Sequence, residues 1–352
     1  MPERDIMRST ARGFRRYYNP EIGDELRMDT NTNVLGPNPA AEEYIRGFRG
    51  DISGYPNTYS DGLRDALAGL HGLDRENFVA GNGSDEMLDV AFKTFTEWGD
   101  GCAVPVPSYT LYDYFVRVNG GRVLEVDLTE DFQLDVDAVL RQKARMTIMP
   151  SPNNPTGNTF RQKDIEEILS GSEGMVIVDE AYVEYASGSM ISRVNEFDNL
   201  IVMRTFSKAY SMAGLRVGYS ASNPDVAGMM NCVKIPYSLN KLSEGAAIAA
   251  VGDQSFIEAS VGVVREQRPR LAEGLRRLGF EPFPSDSNFI LAKCPVDHAE
   301  LVSRLRGKGV LIRDFGSKRR TENCVRITVG TEDLNGIVLG KIEEVVSECR
   351  SK

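Results

Sequence analysis

Two kinds of hydrophobic pattern alternate along this chain. From about residue 60, short and almost wholly apolar runs, such as MVIVD (175–179) and LIVMRTF (200–206), are separated by stretches in which apolar residues recur every three or four positions. The short runs predict strands that are buried on both faces, and the longer stretches predict amphipathic helices. This alternation is typical of an α/β fold in which helices cover a mostly parallel sheet.

The predicted elements follow one another in a regular order up to about residue 208. Helices are expected in DGLRDALAGLHG (61–72), DEMLDVAFKTFTEWG (85–99) and TLYDYFVRVNGG (110–121), each of which ends at a glycine. Strands are expected within ENFVAGNGS (76–84), GCAVPVPSY (101–109), RVLEVDL (122–128), ARMTIMP (144–150), GMVIVDEAY (174–182) and NLIVMRTFSK (199–208).

The pattern changes after about residue 245. A long amphipathic stretch (255–279) leads to two shorter strands, NFILAKC (288–294) and CVRITVG (324–330), and to a final helix. With 352 residues the chain exceeds the size at which single cores stop growing. We therefore predict a large domain over 36–245 and a smaller α+β domain over 246–352, with an arm over 1–35 that joins the smaller domain.

Composition and charge exclude several classes of protein. The net charge of −10 argues against a nucleic-acid surface, which needs a basic stripe. Five scattered cysteines without a C-x-x-C pair, and only two histidines, argue against disulfide scaffolds and metal clusters. A reducing, cytoplasmic location fits this cysteine usage. No apolar run approaches the roughly 18 residues that a membrane span needs.

Four of the predicted strands end in conspicuous polar groups. These are Asn82-Gly83-Ser84-Asp85, Asn153-Asn154, Asp179 and Ser207-Lys208. In an open parallel sheet, ligands bind beyond the carboxyl ends of the strands, so these groups are expected to converge on one site.

The turn GNGSDE (81–86) opens a predicted helix. It offers the backbone N–H groups of Ser84, Asp85 and Glu86 at a helix N-terminus, which suits a phosphate. The alternative is a simple helix cap. The loop SPNNPTG (151–157) leaves a similar choice, because its asparagines and prolines also favour turns.

Asp179 and Lys208 can be interpreted in two ways. A buried carboxylate needs a partner, which is either Lys208 or Arg216 in an ion pair, or the protonated ring nitrogen of a ligand. Lys208 is correspondingly a partner of Asp179 or a nucleophile toward a carbonyl. In the second interpretation Arg216 is an anion anchor, Tyr109 stacks on a flat ring and Tyr182 donates a hydrogen bond to it. A ligand with an aldehyde, a protonated ring nitrogen, a phosphate and a flat face satisfies all these groups, and pyridoxal 5′-phosphate has all four.

The segments SPNNPTG, VIVDEAY and TFSKAYSMAGLRVGY, in this order and spacing, resemble the fold type I pyridoxal-phosphate enzymes of the class I and II aminotransferases. The resemblance runs from about residue 30 to the C-terminus and implies an aspartate-aminotransferase-like fold. Within the group, GYPNTYSDGLRDALA (54–68), GNGSDE (81–86), VLIRDFG (310–316) and CVRITVGT (324–331) are similar to the histidinol-phosphate aminotransferase branch.

The resemblance implies a role for each matching residue. Lys208 matches the Schiff-base lysine, Asp179 the partner of the pyridine nitrogen, and Tyr109 the stacking ring. Asn154 and Tyr182 match the ligands of the ring hydroxyl. The residues that match the phosphate cradle are Ser84, Asp85, Thr205, Ser207 and Arg216. Tyr55 matches a tyrosine that reaches the cofactor phosphate of a partner subunit, which implies a homodimer. Arg326 matches the arginine that binds the anionic group of the substrate.

The substrate side of the site departs from the family pattern. The family usually has Asn-Glu-Asn-Pro where this chain has Asn31-Thr32-Asn33-Val34. We expect Asn33 from this segment to contact the substrate, together with an upstream tyrosine that is Tyr17 or, as we assign it, Tyr18. Arg313 matches a second arginine of the substrate site, and the alternative is an ion pair with Asp314 or Glu322.

The resemblance implies a reaction that transfers the amino group of histidinol phosphate to 2-oxoglutarate, a step of histidine biosynthesis. Three alternatives stay open at this point. They are an aromatic amino-acid aminotransferase, a decarboxylase of threonine O-phosphate, and a non-enzymatic protein whose Lys208–Asp179 pair is structural. The short Asn-x-Asn start at residues 31–33 is similar to the decarboxylase branch.

Overall fold

The computed structural model describes residues 7–12, 14 and 23–351 of the chain. In chain order, its strands are β1 (Leu26–Arg27), β2 (Phe78–Gly81), β3 (Gly101–Val106), β4 (Arg122–Asp127), β5 (Met146–Pro150), β6 (Met175–Asp179), β7 (Leu200–Thr205), β8 (Gly218–Ala221), β9 (Glu281–Pro282), β10 (Phe289–Lys293), β11 (Val310–Leu311), β12 (Arg313–Asp314) and β13 (Cys324–Thr328).

The helices occupy most of the remaining chain. They are α1 (Pro39–Gly47), α2 (Asp61–His71), α3 (Ser84–Phe95), α4 (Leu111–Val118), α5 (Val136–Arg141), α6 (Gln162–Gly171), α7 (Pro224–Val233), α8 (Lys241–Gly252), α9 (Ser255–Arg277), α10 (His298–Gly307) and α11 (Glu332–Arg350). Short 3₁₀ turns cover Ser9–Ala11, Arg75–Asn77, Val183–Tyr185, Ile191–Arg193 and Ala213–Leu215.

The large sheet has seven strands in the order β2-β8-β7-β6-β5-β3-β4. Only β8 is antiparallel to its neighbours, β2 and β7. The other pairs are parallel, so the carboxyl ends of six strands meet at one edge. The predicted α/β fold with a mostly parallel sheet is confirmed, whereas β8 was not predicted because its short GYSA run has no distinctive pattern.

Burial explains why these runs form strands. Every residue of β5 and β7 is buried, and β6 is buried apart from its first residue. β7 includes one charged side chain, Arg204, which is buried and donates a hydrogen bond of 3.0 Å from Nε to Oε2 of Glu180. Because successive side chains of a strand point to opposite faces, Glu180 and its neighbour Asp179 lie on opposite sides of the sheet.

Local signals set the ends of the helices. Gly72 follows α2 with a φ of 65°, a left-handed conformation that suits glycine. α3 ends at Phe95 rather than at the expected Gly99, because Thr96 is already extended. α9 keeps the long predicted helix intact although Pro269 lies inside it. Helices α1, α5, α6, α7, α8 and α10 were not predicted.

A smaller sheet, β12-β13-β10-β9, is antiparallel throughout. β1, from the N-terminal segment, pairs with β11 of the C-terminal part, and the Thr328 N–H donates to the Met28 carbonyl at 2.9 Å. The segment from Leu26 to Met28 therefore lies against the chain that follows α9. The division into 1–35, 36–245 and 246–352 stays a prediction.

A search of the described residues for helices that could cross a membrane gives no single candidate. Together, α8 and α9 have the length and the apolar composition of a membrane span, but the two helices are bent by 73° relative to each other.

Candidate active site

A cleft of about 310 Å³ opens where the carboxyl ends of the parallel strands meet the small sheet. Its walls come from both sequence-distant halves of the chain. Twelve of the predicted site residues line it: Ser84, Asp85, Tyr109, Asn154, Asp179, Tyr182, Thr205, Ser207, Lys208, Arg216, Arg313 and Arg326.

Asp179 lies at the end of β6 in the floor of the cleft. Its side chain is buried, and Oδ2 accepts a hydrogen bond of 2.7 Å from the Tyr112 hydroxyl. Oδ1 accepts a second hydrogen bond, of 3.1 Å, from the Ala181 N–H. Burial raises the pKa of Asp179 to about 6, although both hydrogen bonds oppose this shift. The residue is thus an oriented carboxylate with no cationic partner among the described residues.

Lys208 follows β7 after the short turn Phe206-Ser207. Its Nζ donates a hydrogen bond of 2.8 Å to the carbonyl of Thr30 and lies 5.6 Å from the centre of the Tyr182 ring. Within the described part of the chain it forms no ion pair. The alternative of a structural Lys208–Asp179 pair is therefore wrong, because Asp179 is occupied by Tyr112 and Ala181.

Glycines allow the turn between β2 and α3 to lie close to β8 and to Arg216. Gly83 has a φ of 90°, and a Cβ atom there would lie 2.7 Å from Nη2 of Arg216. A Cβ atom on Gly218 would lie 2.2 Å from the backbone nitrogen of Ser84. Ser84 and Asp85 open α3, where backbone N–H groups have no partner within the helix. The two glycines keep these N–H groups accessible from the cleft.

Arg216 brings a permanent positive charge to the same turn. Its Nη2 lies 3.1 Å from Oδ2 of Asp85, and its Nη1 lies 3.4 Å from Oγ of Ser207. The Ser207 N–H donates to the Thr205 hydroxyl at 3.1 Å. Helix N-terminal N–H groups, two hydroxyls and a guanidinium therefore surround one place, which is the donor set that a phosphate requires.

Arg326, on β13, forms the opposite wall of the cleft. It is buried, its Nη1 donates to Oδ1 of Asn154, and its Nη2 donates to the Asp29 carbonyl at 2.7 Å. Its Nε is buried without a hydrogen-bond partner among the described residues. Burial lowers the pKa of Arg326 to about 10. This guanidinium is positioned by neutral groups alone, so its charge is available to an anionic ligand.

Arg313 lies directly opposite Arg326 in the register of β12 and β13. The ion pairs considered as alternatives do not form. Asp314 instead accepts a hydrogen bond of 2.8 Å from Gly316 and contacts His298 at 2.8 Å, while Glu322 accepts one of 2.8 Å from the Arg320 N–H. The cleft therefore has two arginines that no described carboxylate neutralises.

Comparisons with known proteins agree with this geometry. The family model for aminotransferase class I and II matches residues 25–342. The chain belongs to the class I and II aminotransferases. It is 33% identical, over 97% of its length and 99% of the relative, to a histidinol-phosphate aminotransferase of Caldanaerobacter subterraneus subsp. tengcongensis.

Solved structures share the fold of this aminotransferase. A histidinol-phosphate aminotransferase from Sinorhizobium meliloti in complex with pyridoxal 5′-phosphate has a TM-score of 0.86 and 27% identity, with 92% of this chain and 91% of that chain covered. An L-threonine-O-3-phosphate decarboxylase from Porphyromonas gingivalis has a TM-score of 0.81 and 23% identity, with 92% and 99% covered, and shows the fold alone. The predictions of a fold type I enzyme, an aminotransferase and pyridoxal 5′-phosphate as cofactor are confirmed.

Three predicted residues among those that the structure describes do not line the cleft of this aminotransferase. The Glu86 carboxylate accepts a hydrogen bond from Asn82, and its N–H already donates to Gly83 at 3.2 Å. Asn33 is turned away, because its Nδ2 donates to Ser260 at 2.7 Å and to the carbonyl of Ala209 at 3.0 Å. The third is Tyr55.

The two predicted tyrosines stand differently, because the structure describes only one of them. Tyr55 is 81% exposed and stacks on Tyr237 with ring centres 4.9 Å apart, outside the cleft of its own chain. This exposure leaves the predicted role toward a partner subunit as a prediction. Tyr18, and its alternative Tyr17, lie outside the described residues.

Two residues that the sequence analysis missed hold the aminotransferase site in place. Tyr112 donates a hydrogen bond to Asp179. The sequence signal that could have identified Tyr112 is its position three residues after Tyr109, on the helix that follows β3. Asn31, rather than Asn33, faces the cleft, and its Nδ2 donates to the Tyr182 hydroxyl at 3.1 Å. Asn31 has a φ of 54°, a left-handed conformation that asparagine tolerates better than most residues.

Proposed function

We propose that this aminotransferase transfers the amino group of histidinol phosphate to 2-oxoglutarate, as a step of histidine biosynthesis in the cytoplasm. The observation that carries the proposal is the pair formed by Arg313 and Arg326, which share one register position and lack a described carboxylate partner. A carboxylate monoanion needs one such arginine. A phosphate dianion accepts hydrogen bonds from both, and each arginine can bind it in a bidentate manner.

The residues present fit pyridoxal 5′-phosphate. Ser84, Asp85, Thr205, Ser207 and Arg216 would hold its phosphate, in a cradle that a Cβ atom on Gly83 or Gly218 would fill. Asp179 would hold the ring nitrogen, Tyr109 would stack on the ring, and Asn154 and Tyr182 would bind the ring hydroxyl. Arg216 neutralises the Asp85 carboxylate at 3.1 Å, which removes the repulsion that a phosphate would otherwise meet there.

When bound, pyridoxal 5′-phosphate supplies an electron sink that makes the α-hydrogen of an amino donor acidic. The chain supplies the rest. Lys208 would provide the amine for covalent attachment, and its free amine would accept the proton of the substrate α-carbon. The Thr30 carbonyl, 2.8 Å from Nζ, holds that amine in the cleft. Asp179 would hold the ring nitrogen with a negative charge, because its pKa of about 6 leaves it ionised at neutral pH.

A donor screen tests the substrate. Histidinol phosphate, phenylalanine, tyrosine and glutamate are each mixed with the loaded enzyme, and the loss of the cofactor's visible absorption band is followed in a single half-reaction. Histidinol phosphate is expected to react fastest, and the amino group is expected to reappear as glutamate when 2-oxoglutarate is added. Reaction with phenylalanine but not histidinol phosphate contradicts the proposal, as does carbon dioxide release from threonine O-phosphate.

The role of Lys208 has its own test. Borohydride treatment of the wild type is expected to fix the cofactor to one peptide, identified by mass spectrometry as the peptide that contains Lys208. Lys208→Ala is expected to bind the cofactor without covalent attachment and to lose turnover. Lys163→Ala, an exposed lysine on α6, is the matched control and is expected to behave as wild type. Labelling of another lysine refutes this assignment.

We also propose a homodimer in which Tyr55 completes the partner's phosphate cradle. Its 81% exposure leaves the hydroxyl free to reach another subunit. Lys208→Ala and Tyr55→Phe subunits, each defective in a homodimer, are mixed and allowed to exchange. In the mixed dimer one site has both native residues, so activity is expected to return to a fraction of the wild-type value. No recovery despite subunit exchange contradicts a shared site.

A further inference from the structure

We propose that Lys318 is a third cationic ligand of the substrate phosphate, at the mouth of the cleft. Lys318 belongs to the turn that joins β12 to β13, a few residues after Arg313. Its Nζ lies 5.6 Å from the centre of the Phe315 ring, and Phe315 itself lines the cleft. The inference rests on the proposed function, since it concerns the same anionic group of the donor.

The charged neighbours of Lys318 distinguish it from the rest of the turn. Arg319 forms ion pairs with Asp127 and, at 3.6 Å, with Glu125. Arg320 donates a hydrogen bond of 2.9 Å to the Thr129 carbonyl. Both arginines thus fasten the turn to the carboxyl end of β4. Lys318 has no ion pair or side-chain hydrogen bond within the described part of the chain.

Hydrogen bonds within the turn hold the backbone of Lys318 in place. Its N–H donates to the Phe315 carbonyl at 2.9 Å, and the Thr321 N–H donates to the Lys318 carbonyl at 3.2 Å. The Thr321 hydroxyl donates to the same Phe315 carbonyl at 2.9 Å. The backbone is therefore held, while the four-carbon side chain stays exposed and free to move toward a ligand.

The charge balance around Lys318 favours an anion. Partial burial of the ammonium and, to a smaller extent, the guanidinium of Arg313 lower the pKa of Lys318. The two cations repel each other, and neither forms an ion pair with a described carboxylate that would relieve the repulsion. A dianionic group that Arg313 and Arg326 bind would relieve it. A carboxylate monoanion, already satisfied by Arg326, would gain less from this third cation.

The test compares donors that differ only in the phosphate. Michaelis parameters of the holoenzyme are measured with histidinol phosphate and with histidinol, together with the inhibition constant of inorganic phosphate. In Lys318→Gln, the KM for histidinol phosphate and the inhibition constant are expected to rise roughly 3- to 10-fold, as for a partly exposed charge-assisted contact. The kcat is expected to stay within about twofold, because the contact is made equally in the ground state and the transition state. The KM for histidinol is expected to stay within the same range, because histidinol has no phosphate for Lys318 to bind.

Two further variants serve as controls. Lys318→Arg is expected to retain most of the affinity for phosphate. Lys293→Gln, which removes an exposed lysine at the end of β10, is expected to change nothing. An equal rise of KM for both donors in Lys318→Gln, or an unchanged inhibition constant for phosphate, overturns the proposal.

The experiment also separates this inference from the proposed function. A wild-type enzyme that does not turn over histidinol phosphate refutes the proposed function. In that case, the inhibition constant of inorganic phosphate against the true donor still decides the role of Lys318, since weaker inhibition of Lys318→Gln supports it and unchanged inhibition refutes it.

Discussion

The hydroxyl of Tyr112 donates a hydrogen bond of 2.7 Å to Oδ2 of Asp179. This bond stabilises the ionised carboxylate, whereas burial favours the protonated form, and the resulting pKa is about 6. Burial therefore outweighs the hydrogen bonds, but not by enough to protonate Asp179 at neutral pH. Helix α4, which carries Tyr112, thus contributes to the charge state of Asp179.

Removing this hydroxyl should shift the pH dependence of cofactor binding. In Tyr112→Phe the pKa of Asp179 is expected to rise by up to about one unit, because one of its two hydrogen bonds is lost. The affinity of the apoenzyme for pyridoxal 5′-phosphate is then expected to fall near pH 6–7 and to recover at higher pH. Equilibrium titration across pH measures this. Tyr114→Phe, on the exposed side of α4, is the control, and identical profiles for both variants refute the role of Tyr112.

Asp179 should also make the apoenzyme less stable as the pH rises. Its native pKa of about 6 lies above the ordinary carboxyl value, so between about pH 4 and 6 the native state binds a proton that the unfolded chain releases. The free energy of unfolding therefore falls as the pH rises through this window. Asp179→Asn is expected to exceed wild type by about 1–3 kcal/mol near pH 8 and to match it near pH 4.

Urea unfolding of both apoproteins at several pH values tests the sign of this effect. The Asn side chain can accept from the Ala181 N–H and donate to the Tyr112 oxygen, so the contact between the two residues is kept although the Tyr112 O–H loses its acceptor. The same variant is expected to bind pyridoxal 5′-phosphate more weakly. A stability difference that grows toward low pH contradicts the assigned pKa.

Gly218→Ala should damage the phosphate cradle rather than the chemistry. The added Cβ atom would lie 2.2 Å from the Ser84 nitrogen, so β8 and the start of α3 must separate. We expect the dissociation constant for pyridoxal 5′-phosphate to rise at least roughly tenfold, which corresponds to 1.4 kcal/mol. Gly214→Ala is the matched control, because nothing lies within 4 Å of its Cβ position. Equal affinities for the two variants would falsify the cradle.

The buried pair of Arg204 and Glu180 should matter for stability and not for binding. Glu180 Oε1 also accepts a hydrogen bond of 2.6 Å from the Met190 N–H, and the pair lies on the far side of the sheet from the cleft. Arg204→Met leaves a buried carboxylate unpaired and is expected to cost about 3–5 kcal/mol of unfolding free energy. Arg204→Met combined with Glu180→Gln is expected to recover part of this loss. Additive effects in urea unfolding contradict the coupling.

The two cleft arginines should respond differently to the same substitution. Arg313→Gln is expected to raise the KM for histidinol phosphate roughly tenfold without loss of stability, because no described group depends on its guanidinium. Arg326→Gln is expected to raise it more and to lower the melting temperature, since Asn154 and the Asp29 carbonyl lose their buried donor. Thermal unfolding and steady-state kinetics measure both effects. Equal effects of the two substitutions refute this division of roles.

Strand ends were the best guide to the site in the sequence. Asp179 and Lys208 each follow a run that is apolar enough to be recognised as buried, and parallel strands bring such ends to one edge. Tyr112 was missed, because its partner lies 67 residues away. Glu86 was assigned to the cradle from its place in the turn, but its carboxylate closes back on Asn82.

The sequence by itself determined the α/β class and the cofactor, and it predicted Lys208 as the lysine that holds this cofactor, because burial patterns and strand-end residues are local properties of the chain. Only the tertiary structure decided which charges are paired. In the folded chain Asp85 contacts Arg216, Asp179 accepts a hydrogen bond from Tyr112, and Asp314 contacts His298. Arg313 and Arg326 lie opposite each other without a described carboxylate partner. A charge pair depends on distances of a few ångströms between residues far apart in sequence, and only the packed fold sets those distances.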